Sequence, residues 1–457
     1  MEHALRFSLK TLGDLDHLAA KLAVAIPHQD DTSNLFEPVP LAAGRTLPNR
    51  FVVHPMEGFD ADRSGTPSDL AFRRYKRYAE GGAALIWFEA TAVVPEGRSN
   101  PAQFWMHSGN LGEYRRLVQA TRDGAKAFFG QGAQPTLVLQ LTHSGRYSKP
   151  DGVPTPMIAH HSAVLDPIHK LSADHPLVTD EYLDRLQDAY VASARLAHEA
   201  GFDGVDVKAC HRYLVSELLA SHHREKSRYG GSLENRARFL LETAAKIREA
   251  VPGLFVTTRL NVFDAIPFPW GFGVSRDGFL SPDLTEPLQV ISELRKLGMP
   301  LLNHSIGNPY YNPHWGRPYD QPSVGVPVDR DRHPLQNTAH YFDLTRRIQE
   351  ANAGFPVIGG GYGWLREFAP QVMAALVEKK WVTLVGQGRN SFAYPEAIRD
   401  LREHGAFDKR KVCITCSRCT QIMRDGGRTG CAIRDVEIYG KEYKEGRSRA
   451  EAKPAGK

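Results

Sequence analysis

Cysteine is scarce in this chain, with five in 457 residues, and four of the five fall within the stretch VCITCSRCTQIMRDGGRTGC near the C-terminus. One isolated thiol, Cys210, and one cluster do not resemble the spaced cysteines that staple a secreted domain, so a metal site is the better reading of the four. Long apolar runs are missing as well, which excludes a bilayer-spanning helix. The first residues, MEHALRFSLKTLGDLDHLAAKLAVAIPHQDD, alternate charged and apolar positions at helical spacing and lack the apolar core and cleavage site of a secretory signal. The expectation is a cytoplasmic protein with no membrane partner. A strong excess of one charge is absent too. The formal net charge is +5, part of it in the terminal KEYKEGRSRAEAKPAGK, read as a polar, mobile tail, and this is too mild to argue for nucleic acid. No internal repeat or low-complexity tract is present. What remains, 42% hydrophobic and 24% charged residues, is the composition of a globular protein with ample chain for a large core.

Eight short β-branched or apolar runs recur with helical patterns between them: residues 51–56, 84–93, 135–141, 204–209, 255–261, 301–307, 356–361 and 381–389. Such alternation predicts parallel strands covered by helices, here a (β/α)₈ barrel, with a doubly wound sheet as the alternative. The clearest helix precedes the fourth run. Thr179 caps it, Asp180 and Glu181 sit in its first turn, Leu183, Leu186, Tyr190, Ala194 and Ala197 share a face, and Gly201 ends it. The Pro- and Gly-rich stretches at 144–178 and 308–337 read as loops, which in a barrel build the active site. The predicted divisions are an N-terminal extension (1–34), the barrel (35–405), a cysteine-bearing segment (406–440) and the tail (441–457).

Glycines close the last two runs, in VIGGGYGW and LVGQGRNSF, where a barrel holds a cofactor phosphate on backbone amides, and Arg389 beside Gly388 adds a guanidinium. Taken alone they are equally strand-end turns. The spacing does not match a dinucleotide fingerprint, and no βαβ unit follows, so a Rossmann reading is rejected. Polar residues also interrupt or follow the apolar runs: Glu89, Gln140, Lys208, His211 and Arg259. Each alone reads as an internal hydrogen bond or ion pair, because burial without a partner is costly. Five of them converging on one barrel mouth point to a bound polar ligand.

The segments LFEPVPLAAGRTLPNRFVVHPM, FEATAVVPEGR, LVLQLTHSGR, GFDGV…YL, RYGGSLENRARFLLE and LVGQGR…FAYPE, spread over about 35–400, occur in the order found in the old yellow enzyme family. With the cysteines, the chain resembles the branch that contains 2,4-dienoyl-CoA reductase and trimethylamine dehydrogenase. That resemblance implies a TIM barrel with FMN at its C-terminal mouth. It implies Pro55, Met56, Glu57 and Ala90 along the flavin ring, Gln140 at the pyrimidine side, Arg259 near N1 and O2, and Gly360, Gly361, Gly388 and Arg389 at the phosphate. VKACHRYL matches the pattern of a hydrogen-bonding pair followed by a tyrosine, with Lys208 and His211 as the pair and Tyr213 as the candidate proton donor. Lys208 stands where the family usually has histidine, and Glu57 where better-known members have threonine or cysteine. A Glu57–Lys208 ion pair is the preferred expectation, with Lys208 paired to Glu89 or to a substrate carboxylate as alternatives. The loop SIGNPYYNPHWGRP offers Tyr310, Tyr311 and His314 as a substrate wall or a packed lid. Cys210 reads as a small packed residue rather than a nucleophile.

Cys413, Cys416, Cys419 and Cys431 follow C-x2-C-x2-C-x11-C. Three cysteines at successive x2 steps wrap one loop around a cubane, whereas zinc sites commonly use two separated hairpins or end in histidines. A [4Fe-4S] cluster is therefore preferred over structural zinc, either as a staple for the segment or as a one-electron conduit. Few residues follow Cys431, too few for the nucleotide-binding domains of the two named relatives. The expectation is a small-molecule substrate, a separate one-electron donor or acceptor protein, and NAD(P)H as a candidate external reductant. The expected reaction is hydride transfer at flavin N5 that reduces an activated C=C bond. Amine or C–H oxidation with electrons leaving through the cluster, and a non-catalytic electron-transfer subunit, are the alternatives.

Overall fold

A computed structural model describes residues 6–326 and 331–452. The barrel strands are β1 (Phe51–Val53), β2 (Leu85–Ala92), β3 (Thr136–Thr142), β4 (Gly204–Val207), β5 in two pieces (Phe255–Thr257 and Arg259–Phe263), β6 (Leu302–Ile306), β7 (Val357–Gly359) and β8 (Leu384–Gln387). All neighbours pair in parallel. The first piece of β5 pairs with β4 and the second with β6, so the strand order runs out and back to the same segment and the sheet closes. Thr258, between the pieces, sends its hydroxyl to the Val207 carbonyl at 2.8 Å. The eight predicted runs are thus the eight barrel strands.

Helices follow the strands because the linking segments carry apolar faces at helical spacing. The helix Asp180–Ala200 behaves as its sequence requires. The Thr179 side chain accepts from the Tyr182 amide, and Gly201 ends the helix at φ 95°, a left-handed value suited to glycine. At the N-terminal end of the barrel a short antiparallel ribbon, Val39–Pro40 against Thr46–Leu47, forms a plug. Its Val39, Leu41 and Leu47 pack with Trp87, Val138 and Ile358 into a closed apolar layer. That end is filled, and the opposite mouth is left for a ligand.

The N-terminal extension carries one helix, Leu12–Lys21, whose Thr11 and Asp14 form a reciprocal cap. The chain then ties to the barrel where Asn34 donates to the Ala374 carbonyl at 3.0 Å. The C-terminal segment has a helix at Arg418–Arg424 and a second at Lys441–Glu451. The expectation of a polar, mobile tail is corrected here. Residues 441–451 are helical and docked by Arg447 on Asp425 at 3.2 Å and Arg428 on Glu442 at 2.5 Å. Residues 453–457 lie outside the described residues. Among the described residues no helix is long and apolar enough to cross a membrane.

Candidate active site

The mouth of the barrel holds a cavity of about 1500 Å³, counting its open end. Pro55, Met56 and Glu57 leave β1 into it, Gln140 enters from β3, Lys208, His211 and Tyr213 from the turn after β4, and Arg259 from β5. Gly360, Gly361, Gly388 and Arg389 close the side beneath β7 and β8. Of the sequence-predicted residues around the ligand, Ala90 and Glu89 do not line the cavity. Register slips between Phe88 and Thr91, where Glu89 and Ala90 stand against one residue of β3, Gln140, so a bulge occupies the position of Glu89 and Ala90. Phe88 stacks on Tyr75 at 3.8 Å, and Glu89 also turns to Tyr75, accepting its hydroxyl at 3.2 Å and the Gly58 amide at 2.7 Å. Arg74 lies 3.2 Å from the same carboxylate. Burial pushes the Glu89 carboxyl up to about 7 against the pull of Arg74. Glu89 is therefore not the partner of Lys208.

That partner is Glu57. The Lys208 ammonium lies 3.4 Å from Glu57 Oε1, with the two side chains 3% and 12% exposed. It also sits 3.7 Å from the centre of the Tyr213 ring. The Tyr213 hydroxyl donates toward both Glu57 oxygens, at 3.2 and 3.4 Å, and meets the Tyr310 hydroxyl at 3.1 Å. Tyr310 stacks on Tyr147 at 4.0 Å. Burial and the Glu57 carboxylate hold the Tyr213 phenol well above its ordinary value, so it keeps its proton at neutral pH. Burial, then the charges of Arg259 and Lys208, hold the His211 imidazole well below its own, so it is neutral. Of Tyr310, Tyr311 and His314, Tyr310 lines the cavity, Tyr311 is exposed and His314 packs beside Trp315.

The turn that presents these groups is braced by a residue the sequence pattern did not single out. His211 and Arg212 both adopt left-handed backbone, φ 64° and 60°, an uncommon state for side-chain-bearing residues. Arg212 is wholly buried and holds the turn through the Ser216 carbonyl at 3.1 Å, His160 at 2.9 Å and Asp264 at 3.4 Å. Asp206 was likewise missed. It accepts from Gln140 Nε2 at 2.5 Å, Trp87 Nε1 at 2.9 Å and the Arg259 amide at 2.8 Å, and burial raises its carboxyl to about 6. A carboxylate inside the apolar run GVDV is the signal that could have found it. Cys210 is buried, its thiol pushed up to about 12 by desolvation, as an inert packed residue would be.

The residues present fit a flavin phosphate. Among the described residues the cavity wall carries five cations, Lys208, Arg259, Arg317, Arg366 and Arg389, against the single carboxylate Glu57. Arg259 Nε, Arg317 Nε, Arg389 Nη1, Gln387 Nε2 and His54 Nε2 are buried without a partner. Such orphaned groups are expensive unless an anionic or polar ligand meets them.

The four cluster cysteines converge on a second, smaller void, and Cys419 lines both. Thr415 and Ser417 take left-handed backbone between them, φ 50° and 54°, which curls the loop. The amides of Thr415 and Arg434 point at Cys413 and Cys431 Sγ, each at 3.4 Å. Among the described residues no three of these sulfurs lie within 4.8 Å of one another. A single tetrahedral zinc would draw its sulfurs to about 3.8 Å apart, given a Zn–S bond of about 2.3 Å. A hydrogen-bonded chain joins the two voids: the Cys413 amide donates to Asn390 Oδ1 at 3.0 Å and Asn390 Nδ2 to Gln387 Oε1 at 2.7 Å. The Thr429 amide grips the Gly58 carbonyl, beside Glu57, at 2.6 Å.

The family model described as NADH:flavin oxidoreductase / NADH oxidase matches residues 34–268, and the chain belongs to that family. Among curated proteins it is similar to the dimethylamine dehydrogenase of Hyphomicrobium sp. (strain x), 27% identical over 90% of this chain and 51% of that one. It is also similar to the bilirubin reductase of Mediterraneibacter gnavus (strain CC55_001C), 26% identical over 88% of this chain and 57% of the relative. The chain thus spans little more than half the length of these relatives. The solved structure of a 2-naphthoyl-CoA reductase in complex with 2-naphthoyl-CoA shares the fold, with a TM-score of 0.68 at 19% identity over 90% of this chain and 58% of that one.

Proposed function

We propose that the chain is an oxidoreductase that holds FMN in the barrel mouth and a [4Fe-4S] cluster on Cys413, Cys416, Cys419 and Cys431, and that it reduces a C=C bond conjugated to a carbonyl. The observation that carries the reading is the shared wall. Cys419 borders both the cation-lined cavity and the cysteine-lined void, the arrangement that one-electron exchange between two carriers needs. Gly360, Gly361, Gly388 and Arg389 would hold the phosphate, Gln140 and Arg259 the polar edge of the ring, and Pro55 and Met56 its face. Bound there, FMN supplies hydride transfer at N5 and the cluster supplies single-electron exchange with a separate donor or acceptor protein.

The chain's own residues do the rest. Neutral His211 and the Lys208 ammonium stand together on one wall, where they receive a carbonyl oxygen as negative charge gathers on it. Tyr213, protonated and steered by Glu57 and Tyr310, holds a proton for the carbon next to that carbonyl. Retention of Tyr213, His211 and Arg259 supports a catalytic barrel over a non-catalytic subunit. A second reading, oxidation of an amine, is favoured by Glu57 standing among tyrosine rings and by the likeness to the dimethylamine dehydrogenase.

The test begins with an anaerobic absorbance spectrum, flavin released by heat and iron counted per chain; one FMN and about four irons are expected. Turnover is then followed with an enone or enoyl thioester and, separately, with secondary and tertiary amines, using NAD(P)H or a one-electron dye as the second substrate. Zinc in place of iron would reduce the cysteines to a structural clip. Turnover of amines alone would replace the reductive reading with the oxidative one.

A further inference from the structure

The two readings differ in the charge of what the site must accept. A carboxylate beside an aromatic face is a receptor for an organic cation, because the ring quadrupole and the anion attract the same ligand. Glu57 and the face of Tyr213 form such a receptor, backed by Tyr310 and, behind it, Tyr147. Glu57 lies within 3.4 Å of the Tyr213 hydroxyl through both oxygens, and the tyrosine rings stack in succession. The receptor is filled from within. The Lys208 ammonium lies 3.4 Å from Glu57 and 3.7 Å above the Tyr213 ring, with only 3% of its side chain exposed.

We infer that Lys208 is a built-in stand-in for a substrate ammonium: it occupies the cation receptor, closes the site to cationic amines and confines the substrate to neutral or anionic carbonyl compounds. The inference rests on the reductive reading above and sharpens it into a substrate class. Among the described residues Glu57 is the one carboxylate on the cavity wall, so a second cation entering there would find no anion of its own among them. It would instead meet Lys208, with Arg259 and Arg317 lining the same cavity, and like charges repel in a low-dielectric pocket. A carbonyl oxygen or carboxylate meets the opposite field. Lys208 therefore does two things at once, neutralising Glu57 and presenting a donor, and both exclude the amine.

The test uses the holoprotein and tetramethylammonium as the probe, titrated into wild type, Lys208→Met, Lys208→Gln and the double variant Lys208→Met with Glu57→Gln. Binding is read by the flavin difference spectrum and by calorimetry, which does not depend on flavin. Wild type should show no saturable binding. Both single variants should bind at least about thirtyfold more tightly, the gain expected when a desolvated cation–π site with its carboxylate is freed. The double variant should lose that gain.

Binding to wild type as tight as to the single variants would overturn the inference. So would failure of both folded single variants to bind, or binding that survives loss of Glu57. The underlying reading fails separately. If wild type turned over no enone while Lys208→Met still gained the ammonium, the receptor would stand and the reductase would not.

Discussion

Replacing Asp206 by asparagine probes the support beneath the ligand site. Asp206 is completely buried, and burial raises its carboxyl from 3.8 to about 6 in spite of three donors. A carboxyl whose folded value exceeds its unfolded one binds its proton more tightly in the native state. Its stabilising contribution is therefore complete below about 3.8 and is lost as pH rises through about 6. A shift of about two units corresponds to roughly 3 kcal/mol at about 1.4 kcal/mol per unit. Asp206→Asn cannot titrate, so its stability relative to wild type should improve by about 3 kcal/mol between pH 3.5 and 7. The variant also disturbs a hydrogen bond. Gln140 Nε2 and Trp87 Nε1 both donate to Asp206 Oδ2 and the Arg259 amide to Oδ1, so whichever oxygen becomes the amide nitrogen faces a donor: at Oδ2 it turns the Gln140 oxygen inward and strands Trp87, at Oδ1 it strands the Arg259 amide. One exchanged hydrogen bond is worth about 1 kcal/mol, so FMN should bind about fivefold more weakly. Urea unfolding of both proteins across pH, with flavin retention followed by fluorescence, measures both effects. An unchanged stability difference between pH 3.5 and 7 would refute the argument that Asp206 is ionised in place.

Three further outcomes are expected. At 3.4 Å and an effective dielectric near 20, the gross attraction between Lys208 and Glu57 is about 5 kcal/mol; after desolvation a double-mutant cycle with Lys208→Met and Glu57→Gln should return about 1–3 kcal/mol of coupling, and a value near zero would mean the two charges do not feel each other. Serine at Cys413 or Cys419 should lower iron from about four atoms per chain to less than one while flavin remains, because a cubane deprived of one of its four thiolates is not held as a unit; full iron in either variant would remove that cysteine from the ligand set. Leucine at Asn390 strands the Cys413 amide and Gln387 Oε1 together, costing about 1–3 kcal/mol, and should release iron faster on chelation with faster flavin loss; unchanged rates would show that the two voids are independent.

The barrel was legible in the sequence because fully buried parallel strands must be nearly continuous apolar runs, and each of the eight was. The helix at Asp180–Ala200 was legible from its cap, its apolar face and its terminal glycine. Lys208, His211, Tyr213, Gln140 and Arg259 were visible as polar interruptions of apolar runs, and the structure brings them to one cavity. Glu89 was read into the barrel mouth as a polar interruption of an apolar run; the bulge between Phe88 and Thr91 turns it toward Tyr75, and no local residue announces it. The tail was misread because its helix takes hold through Arg447 and Arg428 on partners elsewhere in the segment, contacts that composition does not encode. Tyr147 and Asn390 went unnoticed because their importance comes from neighbours distant along the chain.

The grip of Thr429 on Gly58 has a consequence in time. Gly58 leaves the ribosome early and Thr429 late, separated at ordinary synthesis speeds by about 20 to 70 s. During that interval the segment bearing Glu57 lacks its outer clamp, and the cavity lacks the wall that Cys419, Thr420 and Thr429 supply. The wall is completed when the later cysteine-bearing segment docks over the mouth. The order of assembly is thereby written into the order of synthesis.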